Sequence, residues 1–350
     1  MAQAIFRWIG DETLLNNLVA GLPTIVLLVL IAVCIIMLAK GADWMIDGVV
    51  HLARRTGLPR IVIGATVVSL GTTTPEAFVS VMAAWMGNPG LALGNGVGSI
   101  IADTGLIFGM TCLLATVPVS RFILNRTGWV QVGSATLLVA ISLILLVTME
   151  GVPVLGRWVG FLFLFLLAGY LYITYLWAKQ GAALEAQDTD DSPLISLGIS
   201  WGMIAGGLFL VIAGARILIP CASGLAHRMG VPDDVIAATI VALGTSLPEL
   251  MTAIAAVKKG HPEITVGNIV GADVLNCLFV IGAAAAARPL AIPPNFYSFH
   301  FPAMLIILYS FRLFISLNRD GRFKKAQGGW LLGVYLVYVV FQYALNIGTV

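Results

Sequence analysis

What this 350-residue sequence has least of is charge. Only 10% of its residues are Asp, Glu, Lys or Arg, against 59% hydrophobic, and the mean hydropathy is +0.98. A soluble domain carries about 25% charged residues, so an ordinary cytosolic enzyme and a disordered chain are both excluded. No one sign of charge prevails: 19 Lys and Arg face 17 Asp and Glu, a net of +2. That near-balance leaves no basic face for nucleic acid. Cysteine is scarce too. Cys34, Cys112, Cys221 and Cys277 sit in apolar runs without metal-site spacing, and read as buried hydrophobes with no disulfide framework. The G-x-S-G and G-x-G-D motifs of intramembrane proteases are missing, and His51, His227, His261 and His300 lie toward the ends of apolar runs. Neither an enzyme activity nor a cofactor is expected.

Long apolar runs are what the chain does have. About 20 apolar residues cross a bilayer as a helix. Ten such stretches lie near 18–40, 61–85, 91–117, 128–148, 154–177, 196–225, 233–257, 264–287, 297–317 and 329–348. The first is longer than a signal-peptide core and no small-residue cleavage site follows it, so it reads as a retained span. The second, third, seventh and eighth are Gly-rich. Small residues let helix backbones approach closely, which predicts those four for the centre of the bundle. The Leu- and aromatic-rich fourth, fifth, ninth and tenth are predicted for the lipid-facing rim. Trp129, Trp158, Trp177, Trp201 and Trp330 fall near span ends, as interfacial anchors do. Numbering the loops alternately gives one side twelve Lys and Arg, among them Arg54, Arg55, Lys258, Lys259 and Arg322. The other side receives only Arg7, Arg157, Arg228 and Arg288. The positive side is predicted to be cytoplasmic and both termini outside.

The chain also repeats itself. Residues 41–110 align without a gap on 214–283, and roughly 26 of the 70 positions are identical. Gly71, Thr72, Pro75 and Glu76 match Gly244, Thr245, Pro248 and Glu249. Gly94, Asn95 and Gly98 match Gly267, Asn268 and Gly271. Each half holds five spans, an odd number, so the second half enters the membrane from the opposite side. The expected fold is an all-α polytopic membrane protein of ten transmembrane helices, arranged as two inverted-topology five-helix repeats. The N-terminal repeat is 18–178, a cytoplasmic linker runs over 179–195, and the C-terminal repeat is 196–350. Inverted repeats are typical of secondary transporters, with the substrate site at the midplane where the repeats meet.

A charge in mid-span costs at least about 2.5–3.5 kcal/mol. Glu76 and Glu249 each follow a proline that removes a backbone N–H, freeing carbonyls near Ser69–Thr73 and Ala242–Ser246. Each Glu lies four residues after a Thr (Thr72, Thr245) and three after a hydroxyl (Thr73, Ser246), spacings that share a helix face. Two carboxylates, hydroxyls and freed carbonyls form the hard oxygen set that Ca2+ prefers. Span three adds Asn95, Ser99 and Asp103 on one face. Span eight adds Asn268, Asp273 and Asn276, the last being the repeat mate of Asp103. Asn95, Asn268 and Asp273 suit interhelical hydrogen bonding as well as ion binding. Asp43 and Asp47, close to Lys40, read as a local ion pair. Arg216 is the repeat mate of Asp43, so those two share no chemical role.

With the doubled GTxxPE and GNxxG motifs, the chain resembles the cation/calcium exchanger superfamily, and most of all its prokaryotic sodium/calcium exchangers. The hallmark segments fall at 64–110 and 237–283. The resemblance implies antiport of Ca2+ against Na+ at overlapping sites between spans two, three, seven and eight, with spans one and six sliding across that core. It implies Glu76 and Glu249 as the principal Ca2+ carboxylates, with Thr72 and Thr245 adding oxygens. Thr73, Ser246 and Ser99 would serve Na+, with the carbonyls of Ser69 and Ala242. The implied partners are calcium and sodium ions and the lipid bilayer of the inner (plasma) membrane, with no obligatory protein partner.

The sequence departs from the family's pattern at three points. Ala272 replaces a serine of the usual G-S-N triplet. Asp103 and Asn276 exchange the usual order of Asn and Asp. Asp273 is an additional acid. These changes keep the divalent motif and bear on the coupling ion, so H+-coupled or K+-dependent divalent cation antiport is the alternative. A cation channel would explain the buried acids but not the paired proline-interrupted repeats.

Overall fold

The computed structural model describes residues 19, 21–85, 87–119, 121–182, 195–229, 246–318 and 320–344. Among these it has ten principal helices and two very short strands. The helices are α1 (Thr24–Thr56), α2 (Arg60–Trp85), α3 (Pro89–Leu114), α4 (Arg121–Thr148) and α5 (Arg157–Ala182). They continue as α6 (Leu197–Arg228), α7 (Leu247–Lys258), α8 (Pro262–Ala287), α9 (Phe296–Leu317) and α10 (Lys325–Ala344). Eight are long and apolar enough to cross a membrane; α7 and α10 are not among them. The expected seventh span, 233–257, overlaps residues outside the described set, so only its second half is seen as α7. Ala242, Thr245 and most of the 179–195 linker fall outside the described residues as well. At 20 residues α10 is long enough, but its tyrosines and glutamines dilute its hydropathy.

The first helix runs further than its apolar stretch. Asp43, Asp47, Arg54 and Arg55 continue it to Thr56, where Gly57 ends it at φ 69°. A left-handed residue after the last turn is glycine's usual place. Asp47 does not serve a local pair with Lys40. Its carboxylate accepts from Lys259, at the turn after α7, at 2.8 Å.

Burial ranks the helices as their glycine content predicts. The most apolar window of α8 is 83% buried and that of α3 is 72%, against 33% for α5 and 28% for α1. Lipid takes the place of water around the outer helices, where Ile25, Ile36, Val147, Phe165 and Val340 face outward. All four cysteines are buried and free. Trp129, Trp158, Trp201 and Trp330 are exposed.

Glycine sets two of the close crossings. A Cβ on Gly267 of α8 would lie 2.1 Å from the Ile61 carbonyl oxygen of α2, so only glycine fits there. Between α1 and α6, a Cβ on Gly207 would meet the Gly41 carbonyl oxygen at 2.4 Å. Those two outer helices pack along their length.

Short extended segments tie the loops together. β1 (Val154–Leu155), between α4 and α5, pairs antiparallel with β2 (Leu290–Ala291), between α8 and α9. Pro118, just before α4, bridges to Arg322, just after α9. Val119 N–H donates to the Gly321 carbonyl at 2.8 Å, and Phe323 N–H to the Val117 carbonyl at 2.9 Å. The two bridges sit at opposite ends of α4, and equally of α9.

Candidate functional site

The backbone is irregular where the polar residues gather. In α2, residues Gly64–Val68 form a wide π turn, and a regular helix follows from Ser69 with Pro75 inside it. Proline has no N–H, so the Gly71 carbonyl loses its helical donor. In α3 and α8 a π turn begins on a polar residue, at Asp103–Phe108 and at Asn276–Ile281. These turns occupy equivalent positions of the two sequence repeats. Such turns leave the regular hydrogen-bond ladder and recur at functional sites. In α7, Pro248 stands in the first turn, where no N–H is needed.

These elements bring the acids of both repeats together. Glu76, Glu249, Asp103 and Asp273 are all buried, each at most 4% exposed. Glu76 lies within electrostatic reach of Glu249, and Asp103 within reach of Glu76, Glu249 and Asp273. The Thr72 hydroxyl of α2 lies beside the Glu249 carboxyl of α7. Asn276 of α8 donates from Nδ2 to Asp103 Oδ2 of α3 at 3.4 Å, joining the two repeat mates. Ser69, Thr73, Ser99 and Ser246 are buried in the same helices, and the Thr72 hydroxyl also reaches the Ser69 carbonyl at 3.4 Å. Ten of the twelve expected site residues are therefore in the described bundle; Thr245 and Ala242 lie outside the described residues.

The asparagines of the GNxxG motifs behave as glue. Asn95 Nδ2 donates to the Glu76 carbonyl at 3.1 Å and to Ser80 Oγ at 2.9 Å. Asn268 Nδ2 donates to Thr252 Oγ1 at 3.3 Å. The first of these fixes the backbone that carries Glu76.

Hydrogen-bond acceptors outnumber donors here. Glu76 Oε2, Glu249 Oε2, Asp103 Oδ1, Asp273 Oδ1, Asn276 Oδ1 and Asn268 Oδ1 are all buried without a partner. A buried polar atom left unpaired costs about 1–3 kcal/mol. A native core keeps few of these, and unpaired buried oxygens are the kind of donor a cation needs. No three acid, His or Cys side chains converge as a metal cluster among the described residues. An ion here would need hydroxyl, amide and carbonyl oxygens besides the carboxylates, which is how hard cations are held. Arg216 on α6 lies within electrostatic reach of Glu76.

Two residues that hold an acid were not singled out from the sequence. Thr104, next to Asp103, and Gln131, on α4, both donate to Asp273 Oδ2, the latter at 2.5 Å. The fourth span is thus not purely a lipid-facing wall. Its lone mid-span carboxamide was the available signal. Arg312 of α9 is also buried, but away from the acids: it donates to Asn125 Oδ1 at 2.6 Å and lies 4.4 Å over the Trp129 ring.

Known proteins resemble this chain over most of its length. The family model described as sodium/calcium exchanger protein matches residues 26–176 and 199–344. The inner membrane protein YrbG of Escherichia coli is 32% identical over 331 residues, covering 91% of this chain and 97% of YrbG. The sodium/calcium exchanger MaX1 of Methanosarcina acetivorans is 29% identical over 340 residues, covering 87% of this chain and 95% of MaX1. A solved structure of the sodium-calcium exchanger NCX_Mj superposes with a TM-score of 0.77 at 27% identity, covering 91% of this chain and 99% of that one.

Proposed function

Because the chain belongs to the sodium/calcium exchanger protein family, we propose that it is a secondary-active antiporter exchanging Ca2+ for Na+ across the inner membrane by alternating access. Ca2+ is held by Glu76 and Glu249, with oxygens from Thr72 and Thr245. Na+ is taken by Thr73, Ser246 and Ser99, with the carbonyls of Ser69 and Ala242. Asp103 and Asn276 close the centre between them. The observation that carries this reading is the excess of buried, unpartnered oxygens around two glutamates within electrostatic reach of each other. Two carboxylates brought together in a low-dielectric bundle repel each other and are poorly solvated. A divalent cation cancels both charges and supplies what the unpaired oxygens lack. MaX1 and NCX_Mj both carry the name of exchangers of this ion pair.

The halves 18–178 and 196–350, with the linker 179–195 between them, act as inverted repeats with both termini outside. Three features support that arrangement. The π turns of α3 and α8 fall at equivalent repeat positions. Gly109 of α3 packs on Gly328 of α10, and its mate Gly282 of α8 packs on Gly160 of α5. The loop bridges also exchange under the repeat symmetry: one joins the segment before α4 to that after α9, the other the segment before α9 to that after α4. They occupy opposite ends of the bundle, so the axis relating them lies in the membrane plane. The glycine-lined α1–α6 pair is the element that slides across the ion-binding core.

The test is Ca2+ flux into proteoliposomes with an imposed Na+ gradient. Uptake should follow the gradient, and its absence in correctly inserted protein overturns the proposal. A second reading, coupling to H+ or K+, is favoured by Ala272, which offers no side-chain oxygen. Flux driven by a pH or K+ gradient without Na+ would replace Na+ as the coupling ion.

A further inference from the structure

We propose that Asp273, Thr104 and Gln131 form a separate cation subsite beside the exchange centre, taking one monovalent ion, Na+. The proposal rests on the exchanger reading above and assigns one of its coupling ions a place. Three helices meet there: α3 supplies Thr104, α4 supplies Gln131 and α8 supplies Asp273. All three side chains are at most 2% exposed. The Thr104 hydroxyl and the Gln131 amide both donate to the same oxygen, Asp273 Oδ2, and lie 3.4 Å from each other. Among the described residues, both side chains that hydrogen-bond Asp273 therefore bind one side of its carboxylate. The other oxygen, Oδ1, is buried without a partner, and so is Gln131 Oε1. No ion pair among the described residues includes Asp273.

The chemistry of these donors selects the ion. Carboxylate, amide and hydroxyl oxygens suit a hard cation. One carboxylate balances one positive charge. A divalent ion would leave a net charge buried in the bundle, which is costly. Rotation of the Gln131 amide exchanges its nitrogen and oxygen, turning a donor to Asp273 into a ligand for the ion. Asp273 also follows Ala272 directly. The residue without a side-chain oxygen is thus next to one that brings two, held by a different helix pair from that of Glu76 and Glu249.

The experiment is equilibrium binding of 22Na+ to the purified full-length protein in detergent, without Ca2+. Asp273→Asn should lose one bound Na+ per molecule relative to the parent. Gln131→Leu, which keeps the carboxylate, should weaken Na+ binding by about tenfold or more. Size-exclusion profiles and circular dichroism check the fold of each variant, and Gln131→Leu decides the matter should Asp273→Asn misfold. Na+ binding of parental number and affinity in a folded variant overturns the subsite. Binding of 45Ca2+ to the parent separates the two readings. A parent that binds no Ca2+ overturns the exchanger proposal; a parent that binds Ca2+, with variants unaltered toward Na+, overturns the subsite alone.

Discussion

Glu76 and Glu249 are acids buried in an apolar bundle, each four residues beyond a threonine. Replacing either by Gln keeps the shape and removes one of two charges that a divalent cation must balance. Glu76→Gln and Glu249→Gln are each expected to reduce Ca2+ flux to that of protein-free vesicles. Near-parental 45Ca2+ uptake by either would refute the ligand assignment. Ala272→Ser returns a hydroxyl to a fully buried position. One added ligand of hydrogen-bond strength should lower the Na+ concentration for half-maximal exchange by roughly threefold to tenfold. An unchanged Na+ dependence would show that the missing oxygen has no part in coupling. The glutamates were legible in the sequence because a charge in mid-span is rare and theirs occurs twice. Thr104 and Gln131 were not. A lone hydroxyl or carboxamide in an apolar run looks the same whether it faces lipid, a neighbouring helix or an acid, and only packing decides. Asp47 was misread for the same reason: Lys40 is near in sequence, but Lys259 is near in space.

Helices were readable as apolar runs, and their burial order as glycine content. Their ends were less so. The last turns of α1 carry charges that end its hydropathy but not its hydrogen bonds. The π turns left no compositional trace, because their extra residue is accommodated by backbone geometry rather than by a residue type. The α2–α8 crossing makes a demand that can be tested. At Gly267 a methyl group would press on the Ile61 carbonyl, which is backbone and cannot swing aside. Gly267→Ala should destabilise the protein by about 1–3 kcal/mol, as overpacking does, seen as a lower thermal midpoint in detergent. A midpoint equal to the parent's would mean that the two helices separate freely.

The repeat was the most legible feature of the whole molecule, since register held over 70 aligned residues. The proposed sides of the membrane rest on loop charge, and they can be checked directly. In a cysteine-free background, a membrane-impermeant maleimide should label Gly151→Cys in intact cells, and Thr116→Cys only after permeabilisation. Both positions are exposed and lie in loops, at opposite ends of α4. Labelling of both from one side would overturn the inverted arrangement. The loop bridges also bear on how the protein is made. Each bridge joins a segment of the first half to a segment that follows α8 or α9. A ribosome delivers the first five helices well before residues 290 and 322 exist. Until then the extended segments at both ends of α4 have no partner strand. The last steps of synthesis therefore close the molecule at its two faces, and a chain cut short before residue 290 lacks both clasps.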